Sequence, residues 1–327
     1  MNSPKFFIKN IPCYDRLILA PMDGISDSPF RSITRKLGSG LSYTEFINGL
    51  DVIHPVPNLA NRCKFTEEER PVFFQLFDED PERIIQSAKI LYEKYQPDAF
   101  DVNMGCSVRR VSNRGAGAGL LLRPDKIKRI VSGLVNTVTV PVTIKIRLGW
   151  DNLHINYLEI GKIAQEEGAS LIALHARTRE QKFSGKADWD AIASLKQSVS
   201  IPVLGNGDIA NYHEALTRIN YTKCDGVLIG RNAVINPWLF SGYDSISEVP
   251  FQLYKNTICT HLEKIKTFYG PDHGCVVFRK FAKRYLNGIS DNKAEILELM
   301  TTEDPDLFTE RFKRIIYESE ILNKENH

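Results

Sequence analysis

VTIKIRLGWDNLHINYLEIGKIAQEEGASLIALHAR, residues 142–177, holds the repeat that decides the fold. Val142 to Leu148 is a short apolar run carrying Lys145 and Arg147 on alternate positions. Tyr157 to Glu167 has helical spacing and stops at Gly168. Leu171 to Arg177 is a second apolar run, with His175 and Arg177 near its end. A strand, a helix and a second strand of the same kind make a parallel β-α-β unit, because only a crossover of this length returns the chain in the same direction. The beat continues on both sides. Upstream lie Leu17 to Met22, Ser42 to Phe46, Val72 to Phe77 and Ala99 to Met104, with helices opening near Ser28-Pro29, at Asp80-Pro81 and at Asp125. Downstream lie a helix from Trp189 to Gln197, then Val203 to Asp208 and Gly226 to Arg231. Eight short apolar strands separated by helices predict an α/β fold of the TIM (β/α)8 barrel type. An open doubly wound sheet would want a Gly-x-Gly-x-x-Gly turn after the first strand, where this chain has PMDGISD.

From about Val249 the strand pattern ends. Phe251–Phe268, His273–Asn287, Lys293–Met300 and Pro305–Leu322 read as helices, so a small C-terminal helical domain is expected, with residues 1–245 as barrel and 246–327 as helices. The chain's 327 residues suit one large and one small domain. Its net charge of +2 does not announce a nucleic-acid binder, so any such surface must be local. One local cluster is Arg279, Lys280, Lys283 and Arg284, which share a helix face by spacing. Six scattered cysteines without a Cys-x-x-Cys pair fit a reducing compartment. Cys259, His261, His273 and Cys275 match no usual zinc spacing, and no metal is expected. Without a long apolar run there is neither a signal peptide nor a membrane span to expect, and the cytoplasm is the default.

In a barrel of this kind chemistry sits at the carboxyl ends of the strands. There the sequence places Gln75, Asn103, Cys106, Lys145, Arg147, His175, Arg177, Asn206, Asp208 and Arg231, which a core would not choose. The stretch Phe100 to Asp125 stands out. It ends a strand at Gly105, places Cys106 just beyond it, and follows with Arg109, Arg110, Arg114 and Arg123 among glycines. A thiol at a strand tip beside cations is where a reactive cysteine is found; a small residue buried at a strand end is the other reading. Gly207 and Gly230 allow close backbone approach, and Arg231 adds a charged fork suited to a phosphate.

APMDGISDSPFR (20–31), DVNMGC (101–106), VTIKIRLGWD (142–151), HARTRE (175–180), NGDI (206–209), IGR (229–231) and the tail FYGPDHG…FRKFAKRYL (268–286) resemble, in order, the motifs of tRNA-dihydrouridine synthases. That resemblance implies FMN, a nicotinamide donor (NADPH or NADH), and reduction of a uridine in tRNA, usually in the D-loop. Carried over by motif, FMN would meet Pro21, Met22, Asp23, Gln75, Lys145, His175, Asn206, Gly207, Asp208, Gly230 and Arg231. Cys106 would be the proton donor, with Asn103 and Arg147 near the uracil. Arg109, Arg110 and the Arg279–Arg284 face would grip tRNA, and a monomer is expected. Ser107 stands where the family usually has proline, Arg109-Arg110 where lysines are common, and Asp23 where a small residue is frequent. Saturating a uracil needs a hydride on one carbon and a proton on its neighbour; the nearby arginines favour thiolate and so oppose the second role. An FMN barrel acting on free pyrimidines and a non-catalytic tRNA-binding barrel are the competing readings.

Overall fold

The computed structural model describes residues 3–290 and 292–325, and they fall into two compact units, Met1–Gly230 and Arg231–His327. In the first unit β1 (Phe6–Ile8) and β2 (Ile11–Cys13) form an antiparallel hairpin. The barrel strands follow: β3 (Leu17–Leu19), β4 (Ser42–Tyr43), β5 (Ile47–Asn48), β6 (Val72–Phe77), β7 (Ala99–Met104), β8 (Val142–Arg147), β9 (Leu171–His175), β10 (Val203–Asn206) and β11 (Gly226–Ile229). All pairings within this second sheet are parallel, in the order β3-β11-β10-β9-β8-β7-β6-β4, with β5 extending the β6 edge. The ends approach closure where Gly40 N donates to Leu17 O at 2.9 Å. The expected (β/α)8 barrel is therefore present and nearly closed.

The second strand differs from its expectation. Ser42 to Phe46 divides into β4 and β5, with Thr44 Oγ1 accepting from Gln75 N at 3.0 Å beside the break. Several strands also stop earlier than their apolar runs, so Arg177 and Asp208 lie in loops and Arg231 opens a helix, Arg231–Ile235. The helix at 28–36 is capped by Asp27, whose carboxylate accepts from Phe30 N at 3.0 Å. The β1–β2 hairpin and the helix Tyr212–Thr222 were not foreseen. Phe6, Ile8 and Cys13 of the hairpin pack with Ile18, Tyr43, Phe73, Ala99, Leu171 and Leu204, so an apolar plug fills the end of the barrel where the strands begin.

Register explains why the other end is polar. Residues alternate between the barrel interior and the helix layer. Ala99 points inward, so Asp101 and Asn103 do too; Asp101 pairs with Thr143 and Asn103 with Lys145. β7 thus enters as hydrophobic filling and leaves as side-chain chemistry, with Thr143 and Lys145 of β8 beside it.

The second unit contains the helices Phe251–Tyr269, Pro271–Leu286, Lys293–Thr301 and Pro305–Glu325. Trp238, Tyr254, Phe278, Phe281, Tyr285 and Phe312 form its aromatic core. Tyr254 Oη donates to Tyr285 O at 2.5 Å, satisfying a buried hydroxyl. Among the described residues no helix is long and apolar enough to cross a membrane, and no cluster of potential metal ligands is found.

Candidate active site

A chain of buried polar side chains crosses the barrel and ends at the cysteine turn. Thr143 Oγ1 donates to Asp101 Oδ1 at 2.5 Å, and Gln75 Nε2 donates to Asp101 Oδ2 at 2.7 Å. Asn103 Nδ2 donates to Gln75 Oε1 at 2.9 Å. Asn103 Oδ1 then accepts from Gly105 N at 3.2 Å and from Cys106 N at 2.9 Å. A buried network of this kind is rigid only if every member is satisfied, and here each amide and carboxylate oxygen is engaged. Two of the candidate site residues are members of this chain. Gln75 is fully buried and its amide is spent on Asp101 and Asn103, while Asn103 aims its carbonyl at the cysteine turn. Both thus connect Asp101 to the cysteine turn. Asp101, which the sequence reading passed over, is the hub. Burial raises its pKa to about 6, against the pull of Thr143, Gln75 and Lys145. Its proton therefore stabilises the fold at low pH, a contribution lost as pH rises from about 4 through 6.

Cys106 is half-buried in a cleft of ≈ 410 Å³ whose lining includes Asp23, Arg62, Phe77, Arg110 and Arg114. Burial pushes its thiol above the ordinary range, outweighing Arg147 and Lys145, which pull it down; Asp23 adds to the rise. The tension between arginines and a protonated thiol thus resolves towards the thiol. Arg114 is neutralised by Glu79 at 3.0 Å; Arg109 and Arg110 are exposed, Arg110 on the lining of the cleft.

Lys145 is the opposite case. Burial first, then Arg147, lower its pKa to about 8. Its Nζ donates to Asn206 Oδ1 at 3.1 Å, and Asn206 Nδ2 is fixed by Leu228 O at 2.7 Å. With three donors and one acceptor among the described residues, this ammonium fits an electron-rich group such as the carbonyl edge of a flavin. Arg147 is 3% exposed and committed to three backbone carbonyls: Gly105 at 2.7 Å, Thr178 at 2.8 Å and Lys182 at 2.9 Å. It ties the cysteine turn to the loop after β9. Arg177 fastens the same loop through Ser184 O (3.0 Å) and Gly185 O (2.6 Å), and Asp208 accepts from Arg177 Nη2 at 2.5 Å and Ala187 N at 2.8 Å. On that loop Phe183 is exposed, its ring centroid 6.2 Å from that of the buried His175. Sequence offered no signal for Phe183 beyond its being an aromatic in a polar loop.

The remaining candidates lie as follows. Pro21 and Met22 are half-buried after β3, and a Cβ on Gly230 would come within 3.4 Å of Met22 Sδ. Gly207 has φ +133°, and a Cβ there would meet Ala187 Cβ at 2.7 Å, so the turn at the end of β10 requires glycine. Asp23 is ion-paired with Arg62 at 2.6 Å. Arg231 belongs to the second unit, as does the basic helix. There Lys283 and Arg284 are exposed, whereas Arg279 is half-buried and donates to Thr302 O at 2.7 Å. The four cations expected to share one tRNA-gripping face are thus not equally exposed: Lys280, like Arg279, is half-buried.

A family model described as dihydrouridine synthase (Dus) matches residues 18–316. The chain belongs to the dihydrouridine synthase family. It is 37% identical over 285 residues to tRNA-dihydrouridine synthase B of Pasteurella multocida (strain Pm70), covering 85% of this chain and 86% of that one. To tRNA-dihydrouridine synthase B of Escherichia coli (strain K12) it is 35% identical over 285 residues, 85% and 88% of the two chains. Among solved structures, 2-naphthoyl-CoA reductase superposes with a TM-score of 0.58 at 12% identity, over 94% of this chain and 57% of that one. Histamine dehydrogenase from Rhizobium sp. 4-9 gives 0.56 at 13% identity, over 79% of this chain and 50% of that one. This chain spans only about half the length of the latter; these two likenesses speak to the fold.

In this dihydrouridine synthase the cysteine turn is also shaped from below by a glycine. Gly117 has φ +54°, and a Cβ there would lie 2.9 Å from Cys106 Cβ and 3.0 Å from Cys106 O. Ala118 N donates to that same carbonyl at 3.1 Å. Gly117→Ala is expected to displace Cys106 and lower the rate of uridine reduction at least tenfold, about 1.4 kcal/mol in the barrier, with flavin content retained. A stopped-flow measurement of both quantities checks it.

Proposed function

We propose that this dihydrouridine synthase reduces the 5,6 double bond of a uridine in tRNA, with FMN bound in the barrel and Cys106 as the proton donor. The observation that carries the reading is the thiol itself: half-buried, so that burial favours its protonated form, and with its backbone N–H held by Asn103 just beyond the end of the strand beside Lys145. Bound FMN supplies the hydride, replenished by NADPH or NADH. Lys145, His175 and the β10 turn at Asn206 to Asp208 would hold it, with Pro21, Met22, Gly230 and Arg231 as further contacts suggested by the family motifs. Cys106 Sγ–H gives its proton to the carbon next to the one that receives the hydride, and the thiolate so formed is stabilised by Arg147 and Lys145, the two cations that act on it. The C=C bond becomes a C–C single bond and two C–H bonds form, so one hydride and one proton balance the reaction.

A base inside folded RNA must leave its stack to enter such a mouth. Phe183 offers it, or its neighbour, an aromatic face. Arg109 and Arg110, both exposed, would meet phosphate. The helical unit would add Lys283 and Arg284, with the barrel as catalytic domain and the helices as tRNA-binding domain. We place the enzyme in the cytoplasm, as a monomer. The test is turnover of purified protein with FMN and NADPH on folded tRNA and on free uridine. The reading expects a gain of two hydrogens in tRNA alone; reduction of free uridine at comparable kcat/KM would transfer it to free pyrimidines. The double charge reversal K283E/R284E is expected to raise the KM for tRNA about three- to tenfold and to flatten its salt dependence, flavin content unchanged.

A further inference from the structure

Arg62 is absorbed by neither the family motifs nor the network described above. It lies at the end of the short helix Leu59–Cys63 and lines the same cleft as Cys106. Its Nη1 donates to Asp23 Oδ1 at 2.6 Å and to Phe46 O at 3.1 Å, and its guanidinium carbon sits 6.0 Å from the Phe46 ring centroid. Both hydrogen bonds leave from one terminal nitrogen. The Nε and Nη2 donors, on a side chain one-third exposed, have no acceptor among the described residues. The guanidinium fork is thus pinned at one prong and open at the other.

We propose that Arg62, pinned by Asp23, is a substrate-positioning residue that grips a backbone phosphate flanking the uridine drawn into the Cys106 cleft. The proposal rests on the tRNA reading above and extends it to a named contact. The other cations of the cleft are less suited. Arg114 is spent on Glu79 at 3.0 Å and lies over the Phe77 ring, and Arg110 is an exposed rim residue with its rotamers to lose on binding. Arg62 is held before the RNA arrives, so less side-chain entropy is lost per bond formed. The Asp23 carboxylate, with Glu45 and Asp51 also acting on the guanidinium, leaves no net positive charge around it. The contact therefore contributes little long-range attraction and acts once a phosphate reaches the open prong. This also gives Asp23, where a small residue is frequent in the family, a use: a small residue could not pin the fork. The same carboxylate acts on Cys106, helping to keep its proton in place.

The test uses full-length protein carrying FMN, with R62A, R62K and R62Q compared against wild type. Three quantities are read: bound flavin by visible absorbance, KM for tRNA against kcat, and the slope of log affinity for tRNA on log salt concentration. R62A is expected to retain flavin and to raise KM about tenfold, with the loss falling mainly on KM. Its salt slope should shrink by less than about 0.7–0.9, the full increment for a phosphate neutralised by an uncompensated cation, because Asp23 stays beside it. R62K should recover only part, since it keeps charge and loses the fork. D23A should raise KM in the wild-type background and add little on R62A, because the two act as one unit. An unmoved KM and salt slope in R62A and R62Q overturns the proposal. So does loss of flavin and of melting temperature in both, which would make Arg62 a structural residue. Wild-type protein that fails to reduce tRNA would instead sink the parent reading, so the two failures are distinct.

Discussion

Cys106→Ala is expected to slow uridine reduction by roughly 10²–10⁴-fold, the range for loss of a positioned general acid. The protein should remain yellow and fold normally. Cys106 packs only at the edge of a small cluster with Phe77, Val111 and Ala116, so truncation leaves a shallow notch rather than a core cavity. Reduction of bound FMN by NADPH should proceed, because no step of it needs the thiol. The signature is a reduced flavin that tRNA fails to reoxidise. The pH profile gives a second reading. The acid must be protonated, and its pKa is raised by burial. Wild-type turnover on saturating tRNA should therefore hold across neutral pH and fall only in the alkaline range; a fall with an acidic midpoint would mean the thiolate is the resting form.

Lys145→Met has the next largest expected effect, and it acts in two directions. Losing a charged hydrogen bond to an electron-rich ring costs about 1.5–3 kcal/mol, so FMN affinity should drop roughly 10–150-fold. The flavin-free protein should become more stable. Lys145 has its pKa lowered to about 8, below the ~10.4 of an unfolded lysine. Between those values the unfolded chain binds more protons, so wild-type stability rises with pH across that window, and below it burial of the cation is a standing cost. A methionine removes the cost, and thermal melts of flavin-free protein at neutral pH should show it. Wild-type FMN affinity should in turn weaken as pH rises through about 8, while that of K145M stays flat. Titration of apoprotein with FMN across pH measures both.

The contrast between these two residues shows what was legible in the sequence. Lys145 and Cys106 could be read because a cation in an apolar strand and a thiol after a strand-breaking glycine are both misfits, and misfits at equivalent strand ends add up. The barrel was legible for a related reason: parallel strands buried on both faces read as apolar runs, and the helices between them keep their period. Strand ends were harder. HAR and NGD continue the apolar runs of β9 and β10, yet Arg177 and Asp208 leave the sheet to fasten the 178–187 loop, a tertiary demand invisible to local pattern. Asp101 was missed because its neighbours Phe100 and Val102 mark a core strand, and only the register of β7 against β8 shows that it faces Thr143 inside the barrel. The β1–β2 hairpin escaped because its strands are three residues long and carry Pro12, which argues against a strand. Arg62 has no signal at all in one sequence. Its meaning comes from Asp23, 39 positions away, and from the cleft they share.

A crystal structure of the full chain soaked with FMN tests the central claim most directly, through the distance from Cys106 Sγ to the isoalloxazine plane. If thiol and ring act on opposite faces of one uracil, two van der Waals contacts must fit between them, about 7–8 Å in all, with Lys145 Nζ within hydrogen-bond reach of the ring. Sulfur in direct contact with the ring, or a ring bound where Lys145 and Cys106 do not flank it, would contradict the account.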